Sequence, residues 1–284
     1  MLGKLTKYEL KSTVNTFLLI YGAVLVLAVL NRIFYSFDYR EFYNYGEAAT
    51  SLSWIGGMLT GIFTTIYVLM IVAMFVAVTI SVIMRFYKNM FGSEGYLMHT
   101  LPVKPWEHIV SKMLASSVWM LGSFVVTALS VFVLLTHPEA FRVLSEGWRE
   151  FVVVVRDVPF NWTPIIIECV IVFIMAVIGW QLPIYASICI GQLWGKHRIL
   201  GAFIAYFIIS TVTQIISGFA VAGSSFNFAR AMENANYHDE FEIMTLGMNY
   251  FHTIMVISIV LSLLFMAAYF VISNHIMTRK LDLE

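Results

Sequence analysis

Six apolar runs, each long enough to cross a bilayer, decide what this chain can fold into. They fall at about 13–31, 57–84, 113–136, 164–193, 199–222 and 250–273. Each reaches the ~20 residues that a transmembrane helix needs. Charge-free stretches set their outer limits at 12–31, 48–84, 113–136, 169–195, 199–229 and 243–278. In hydrocarbon every backbone polar group must be satisfied within the protein, which leaves helices and closed barrels. The period-2 alternation of a lipid-facing barrel strand is missing. The expected fold is therefore all-α: a polytopic integral membrane protein with six transmembrane helices in one membrane domain over 1–284. Composition agrees, with 60% hydrophobic and 12% charged residues. That is about half the charge a soluble domain uses to coat itself.

Basic residues orient the spans. Lys4, Lys7, Lys11, Arg85, Lys88, Lys104, Lys112, Lys196, Arg198, Arg279 and Lys280 lie in the two tails and the second and fourth loops. The other loops hold only Arg32, Arg40, Arg142, Arg149, Arg156 and Arg230, together with 11 of the 17 acidic residues. Both termini are expected on the cytoplasmic side of the cell membrane. As a helix, residues 2–12 place Lys4, Lys7 and Lys11 on one face. They read either as an amphipathic helix on the inner membrane surface or as a topology signal alone. The apolar core that follows has no small-x-small cleavage site, so it is expected to be retained rather than removed as a signal peptide.

Several function classes fall away. Formal net charge is +0, which argues against a nucleic-acid partner. Cys169 and Cys189 share one run, about 30 Å apart along a helix and too far to pair. Gly195-Lys196-His197 lacks the spacing and hydroxyl of a phosphate-binding loop, and no hydrolase or metalloprotease run occurs. The chain is not expected to be an enzyme or to carry a metal. His238-Asp239-Glu240 lacks a second ligand cluster, and the acidic fifth loop, Gly223 to Met248, reads as a solvated face.

Within and between the spans a few residues stand out. Pro183 falls midway along the fourth run and is expected to bend it, freeing a carbonyl. Gly56, Gly57 and Gly61 offer a small-residue surface for close packing. Glu168, four residues past Pro164, is the one carboxylate near a span interior. It reads as a polar contact in a substrate path or gate, or as a side chain snorkelling to water. In the first loop Tyr35, Tyr39, Phe42, Tyr43 and Tyr45 read as an interfacial aromatic belt. Over 139–157, Phe141, Leu144, Trp148, Phe151, Val152 and Val155 recur at helical spacing opposite Arg142, Glu146, Arg149 and Arg156. That is an external amphipathic helix, read as a surface anchor or a gate.

The second loop, 85–112, is basic yet carries apolar side chains beyond the reach of lipid, a pattern that marks a docking site. Ser93 is a candidate N-cap for a short helix ending near Thr100, since Pro102 moves Leu101 out of the helical region. Pro105 and Glu107 then open a second helix that runs on into the third span. The run Gly95-Tyr96-Leu97-Met98-His99-Thr100-Leu101-Pro102-Val103-Lys104, followed by Lys112, resembles the first cytoplasmic loop of type-2 ABC-transporter permeases. The family pattern is Gly-(Thr)-Leu, a Pro six residues on, then Arg or Lys; Tyr96 stands where Thr is common, and His99-Thr100-Leu101 where the family is usually more aliphatic. The resemblance implies a permease subunit that pairs with a second permease, identical or different, within membrane lipids. It also implies a cytoplasmic ATPase that carries ATP and magnesium, while this chain holds no cofactor. Glu94, Gly95, Tyr96, Leu97, Met98, Thr100, Leu101 and Pro102 then form the coupling helix gripped by that ATPase. The transported substrate is expected to be amphipathic or hydrophobic: peptide, lipid or drug-like. Two other classes stand beside this one, an ion-coupled secondary transporter and a non-transporting self-protection protein.

Overall fold

The structure is a computed structural model and describes residues 2–45, 51–92, 103–136, 138–157, 161–234 and 240–279. Among these the regular structure is entirely helical. The helices are α1 (Leu2–Tyr45), α2 (Ser51–Phe91), α3 (Pro105–Leu135), α4 (Pro138–Asp157), α5 (Trp162–Gly179), α6 (Leu182–Gly191), α7 (Arg198–Glu233) and α8 (Glu240–Arg279), with a 3-10 turn at Gly195–His197. Among the described residues six segments are long and apolar enough to cross a membrane: Leu2–Tyr35, Gly56–Phe91, Pro105–Leu135, Trp162–Gly191, Arg198–Glu233 and Glu242–Thr278.

The helices overrun the apolar runs, because hydropathy marks where lipid begins and not where a helix stops. α1 has 44 residues, about 66 Å at 1.5 Å per residue. It contains no proline, so residues 2–12 are its first turns and not a separate helix, and the expected first loop is helical to Tyr45. The fifth loop is corrected in the same way. α7 continues to Glu233 and α8 begins at Glu240, Ala, Arg, Met and Glu carrying the helix past its apolar stretch. His238 and Asp239 lie outside the described residues.

Two expectations from proline hold. α3 starts at Pro105, with the Lys104 N–H donating to Glu107 Oε2 at 3.2 Å. The fourth run divides into α5 and α6, with Pro183 in the first turn of α6, where its missing N–H costs nothing. α4 is the expected amphipathic helix; Arg142 and Glu146 pair across one turn at 3.5 Å and Trp148 lies against Phe151. Of the small-residue surface, Gly61 packs against no neighbour: a Cβ there would meet nothing within 4 Å.

By compactness the chain divides into two units. One holds Gly3–Ser81 and Ala115–Asp157. Its seam is made of hydroxyls. Ser116, Ser123 and Ser130 recur every seven residues along α3 and are buried, so one stripe faces the neighbouring helices. Tyr21 OH donates to Trp119 O at 2.7 Å and lies 3.2 Å from Ser123 Oγ. Tyr67 OH meets Ser130 Oγ at 2.8 Å, Trp119 Nε1 donates to Thr13 Oγ1 at 2.9 Å, and Phe17 stacks on Trp119. Lipid is as apolar as leucine, so helices in it associate through small residues and hydrogen bonds of this kind.

The other unit contains Val82–Leu114 and Val158–Glu284. Its core joins Val82, Phe86 and Met90 of α2, Ile109 of α3, Leu182, Tyr185, Ile188 and Cys189 of α6, and Ile276 and Met277 of α8. α6 is buried at nearly every position, as expected of a short helix apolar all round.

Candidate functional site

The two roots of the second loop are the first part of the site. α2 ends with Phe86 and Met90 fully buried, and α3 begins with His108, Ile109, Ser111 and Lys112 buried. Phe86, Met90 and Ile109 belong to one packed core with α6 and α8. Close-packed interiors transmit displacement instead of absorbing it. The expected coupling residues Glu94, Gly95, Tyr96, Leu97, Met98, Thr100, Leu101 and Pro102 lie outside the described residues, as does the candidate N-cap Ser93.

The second part is the break in the fourth span. Trp180 and Gln181 separate α5 from α6. Gln181 is fully buried, and its Nε2 donates to Ile178 O and to Met113 O of α3, each at 2.9 Å. A helix broken inside hydrocarbon must find new partners for its backbone groups; here one amide side chain supplies two donors and ties α3 to the break. The Ser187 hydroxyl donates to Pro183 O at 2.6 Å. On the far side, a Cβ on Gly191 would fall onto the backbone of Ala202, so α6 and α7 touch backbone to backbone there.

The third part is an acid–imidazole pair. Asn161 caps α5, its side-chain oxygen accepting from Thr163 N–H at 3.2 Å, and Glu168 follows in the second turn. Glu168 does not snorkel: its side chain is buried and turned to α8, with Oε1 2.6 Å from His252 Nδ1. Its Oε2 and the His252 Nδ1 are each buried without a hydrogen bond, although the His252 side chain as a whole is 44% exposed. A buried carboxylate is costly unless paired, which explains the inward turn. A groove of about 380 Å³ opens on the neighbouring turns of α7 and α8. It is lined without charge by Ser224, Asn227, Phe228, Asn249, Tyr250 and Thr253. Phe228 stacks on Tyr250, whose hydroxyl meets Ser225 Oγ at 2.7 Å.

Gln181 and His252 were not among the residues singled out from sequence, although each had a signal. Both are polar residues inside charge-free stretches, and Gln181 stands two residues before the mid-span proline. Among the described residues no three His, Cys, Asp or Glu converge as a metal site. Comparison of the chain with protein-family models, curated proteins and solved structures finds no match.

Proposed function

We propose that this chain is the membrane subunit of an ATP-driven exporter. In this reading a cytoplasmic ATPase grips residues 94–102 and moves an amphipathic or hydrophobic substrate outward. The single observation that carries it is the anchoring of the second loop. Both of its flanks are buried in one core that also holds α6 and the end of α8. A loop that only connected two spans would need no such foundation. One that receives a push does, because the push must reach several helices together. The resemblance of Gly95–Lys104 to a coupling loop supplies the partner. The chain is expected to work as one half of a permease pair, with both termini on the ATPase side. ATP and magnesium sit in the ATPase.

Co-purification tests this directly. The full chain, expressed with its neighbouring genes, is expected to bring down a soluble ATPase with a phosphate-binding loop. Leu97→Asp is expected to abolish that complex while helical content and unfolding midpoint stay unchanged. An intact complex and unimpaired export in Leu97→Asp would overturn the reading.

The Glu168–His252 pair favours a second reading, a secondary transporter. Ionisable pairs inside spans are the usual seat of ion coupling. Substrate uptake into vesicles holding the purified chain alone, driven by a proton gradient and lost in Glu168→Gln, would select it over the first.

A further inference from the structure

Where the 3-10 turn delivers the chain to α7, an open groove of about 700 Å³ is lined by Tyr87, His197, Arg198, Ile199, Leu200 and Phe203. Gly195, also on its wall, takes a φ of 28°, a left-handed value that glycine adopts freely. The turn it makes brings His197 and Arg198 to the head of α7. The charge in the groove is of one sign: Arg198, with His197 beside it and no acid in the lining. Among the described residues no carboxylate pairs with Arg198. His197, the N-cap of α7, makes no side-chain bond to the helix amides. The positive end of the helix therefore adds to the guanidinium rather than being cancelled by a cap.

The same groove is greasy. Ile199, Leu200 and Phe203 are 72%, 57% and 74% exposed. Ile199 and Phe203 are one turn apart and share a face. These residues open an apolar run that continues through the span. A free inorganic anion would use the Arg198 end and leave these side chains bare. A lipid with a phosphate head uses both: phosphate on the guanidinium, chains along the apolar face. Basic pockets at the ends of spans recognise anionic head groups in this way. Zwitterionic lipid brings its own cation to the same place and gains less.

We propose that the groove formed by Tyr87, the Gly195–His197 turn and the first turns of α7 binds an anionic phospholipid. Arg198 anchors the phosphate, and Ile199, Leu200 and Phe203 hold the acyl chains. The site is independent of the exporter reading, and its test needs no ATPase.

The full chain is reconstituted into nanodiscs of mixed phosphatidylcholine and phosphatidylglycerol, released into detergent, and the retained lipid is measured by native mass spectrometry. The wild-type chain is expected to retain phosphatidylglycerol preferentially. Arg198→Gln is expected to lose about fivefold of that preference while phosphatidylcholine retention stays the same. A second arm, independent of the variant's folding, uses the wild-type chain with a photoactivatable phosphatidylglycerol, whose adducts are expected at residues 195–203. Adducts confined to other segments, or undiminished preference in a folded Arg198→Gln chain, overturn the proposal. Inorganic phosphate is titrated in parallel. If phosphate alone raises the unfolding midpoint as far as phosphatidylglycerol does, the groove is a site for the free anion and the lipid proposal fails.

Discussion

Phe86 of α2 and Tyr185 of α6 stack face to face, ring centroids 4.0 Å apart and planes 15° from parallel. Both are fully buried. The pair locks the end of α2, one root of the second loop, to α6, the second half of the broken fourth span. Truncating Tyr185 to Ala removes a large ring from a closed core, a change that costs about 3–5 kcal/mol. Tyr185→Phe keeps the stack and loses only the hydroxyl, so it is expected to lower the unfolding midpoint in detergent far less than Tyr185→Ala, which lowers it by many degrees. Equal midpoints for the two variants would show that the stack is incidental.

Gln181 carries a second prediction. Gln181→Leu keeps the volume but leaves Ile178 O and Met113 O without their side-chain donor. A side-chain hydrogen bond of this kind contributes about 0.5–1.5 kcal/mol in water-soluble cores. Double-mutant cycles in membrane helices average lower, about 0.6 kcal/mol per bond. Gln181→Leu is therefore expected to lower stability by about 1–3 kcal/mol in a denaturant titration. Gln181→Glu should do worse, since a carboxylate meets two carbonyls with no hydrogen to give. A Glu variant as stable as the wild type would mean that the amide is not holding the break.

These residues show what was legible in the sequence and what was not. The six spans were readable because hydrocarbon tolerates only helices and closed barrels, and a long apolar run without period-2 alternation records the first. Pro105 and Pro183 were readable because a proline acts through its own ring, whatever surrounds it. The helix ends were not: Tyr45, Glu233 and Glu240 belong to helices that extend beyond lipid, where hydropathy no longer reports on backbone state. The pairing of Glu168 with His252 was also hidden. It depends on how α5 and α8 are rotated against each other, and periodicity within either span does not encode that rotation. Gly61 failed for the same reason: its small side was visible, but not whether another helix would come to it.

The glycines separate packing from flexibility. Gly191→Ala places a methyl on the Ala202 backbone, which has no side chain to swing away. Overpacking of this kind costs about 1–3 kcal/mol. Gly61→Ala meets open space and removes a flexible residue from a helix, so it is expected to be neutral or slightly stabilising. Thermal unfolding of the two variants side by side is the check. A Gly191→Ala chain as stable as Gly61→Ala would mean that α6 and α7 stand further apart than the structure has them.

The acid–imidazole pair gives the most specific prediction, because its two halves are unequal. Glu168 is buried and His252 is half exposed, so the carboxylate depends on the imidazole more than the reverse. His252→Ala removes the imidazole that faces Glu168 Oε1 at 2.6 Å, and taking away one partner of a buried acid–base contact is destabilising. With His252 partly in contact with its surroundings, the loss is expected at about 1–3 kcal/mol, below the range for a fully enclosed pair. Glu168→Gln removes the charge that needed a partner and keeps the shape, so its cost should be smaller. The combined Glu168→Gln, His252→Ala chain should be more stable than the sum of the single changes allows, since the second substitution no longer strands an ion. Unfolding midpoints of all four chains close the cycle. Strict additivity would mean that the 2.6 Å contact contributes no coupling and that Glu168 is satisfied by something else.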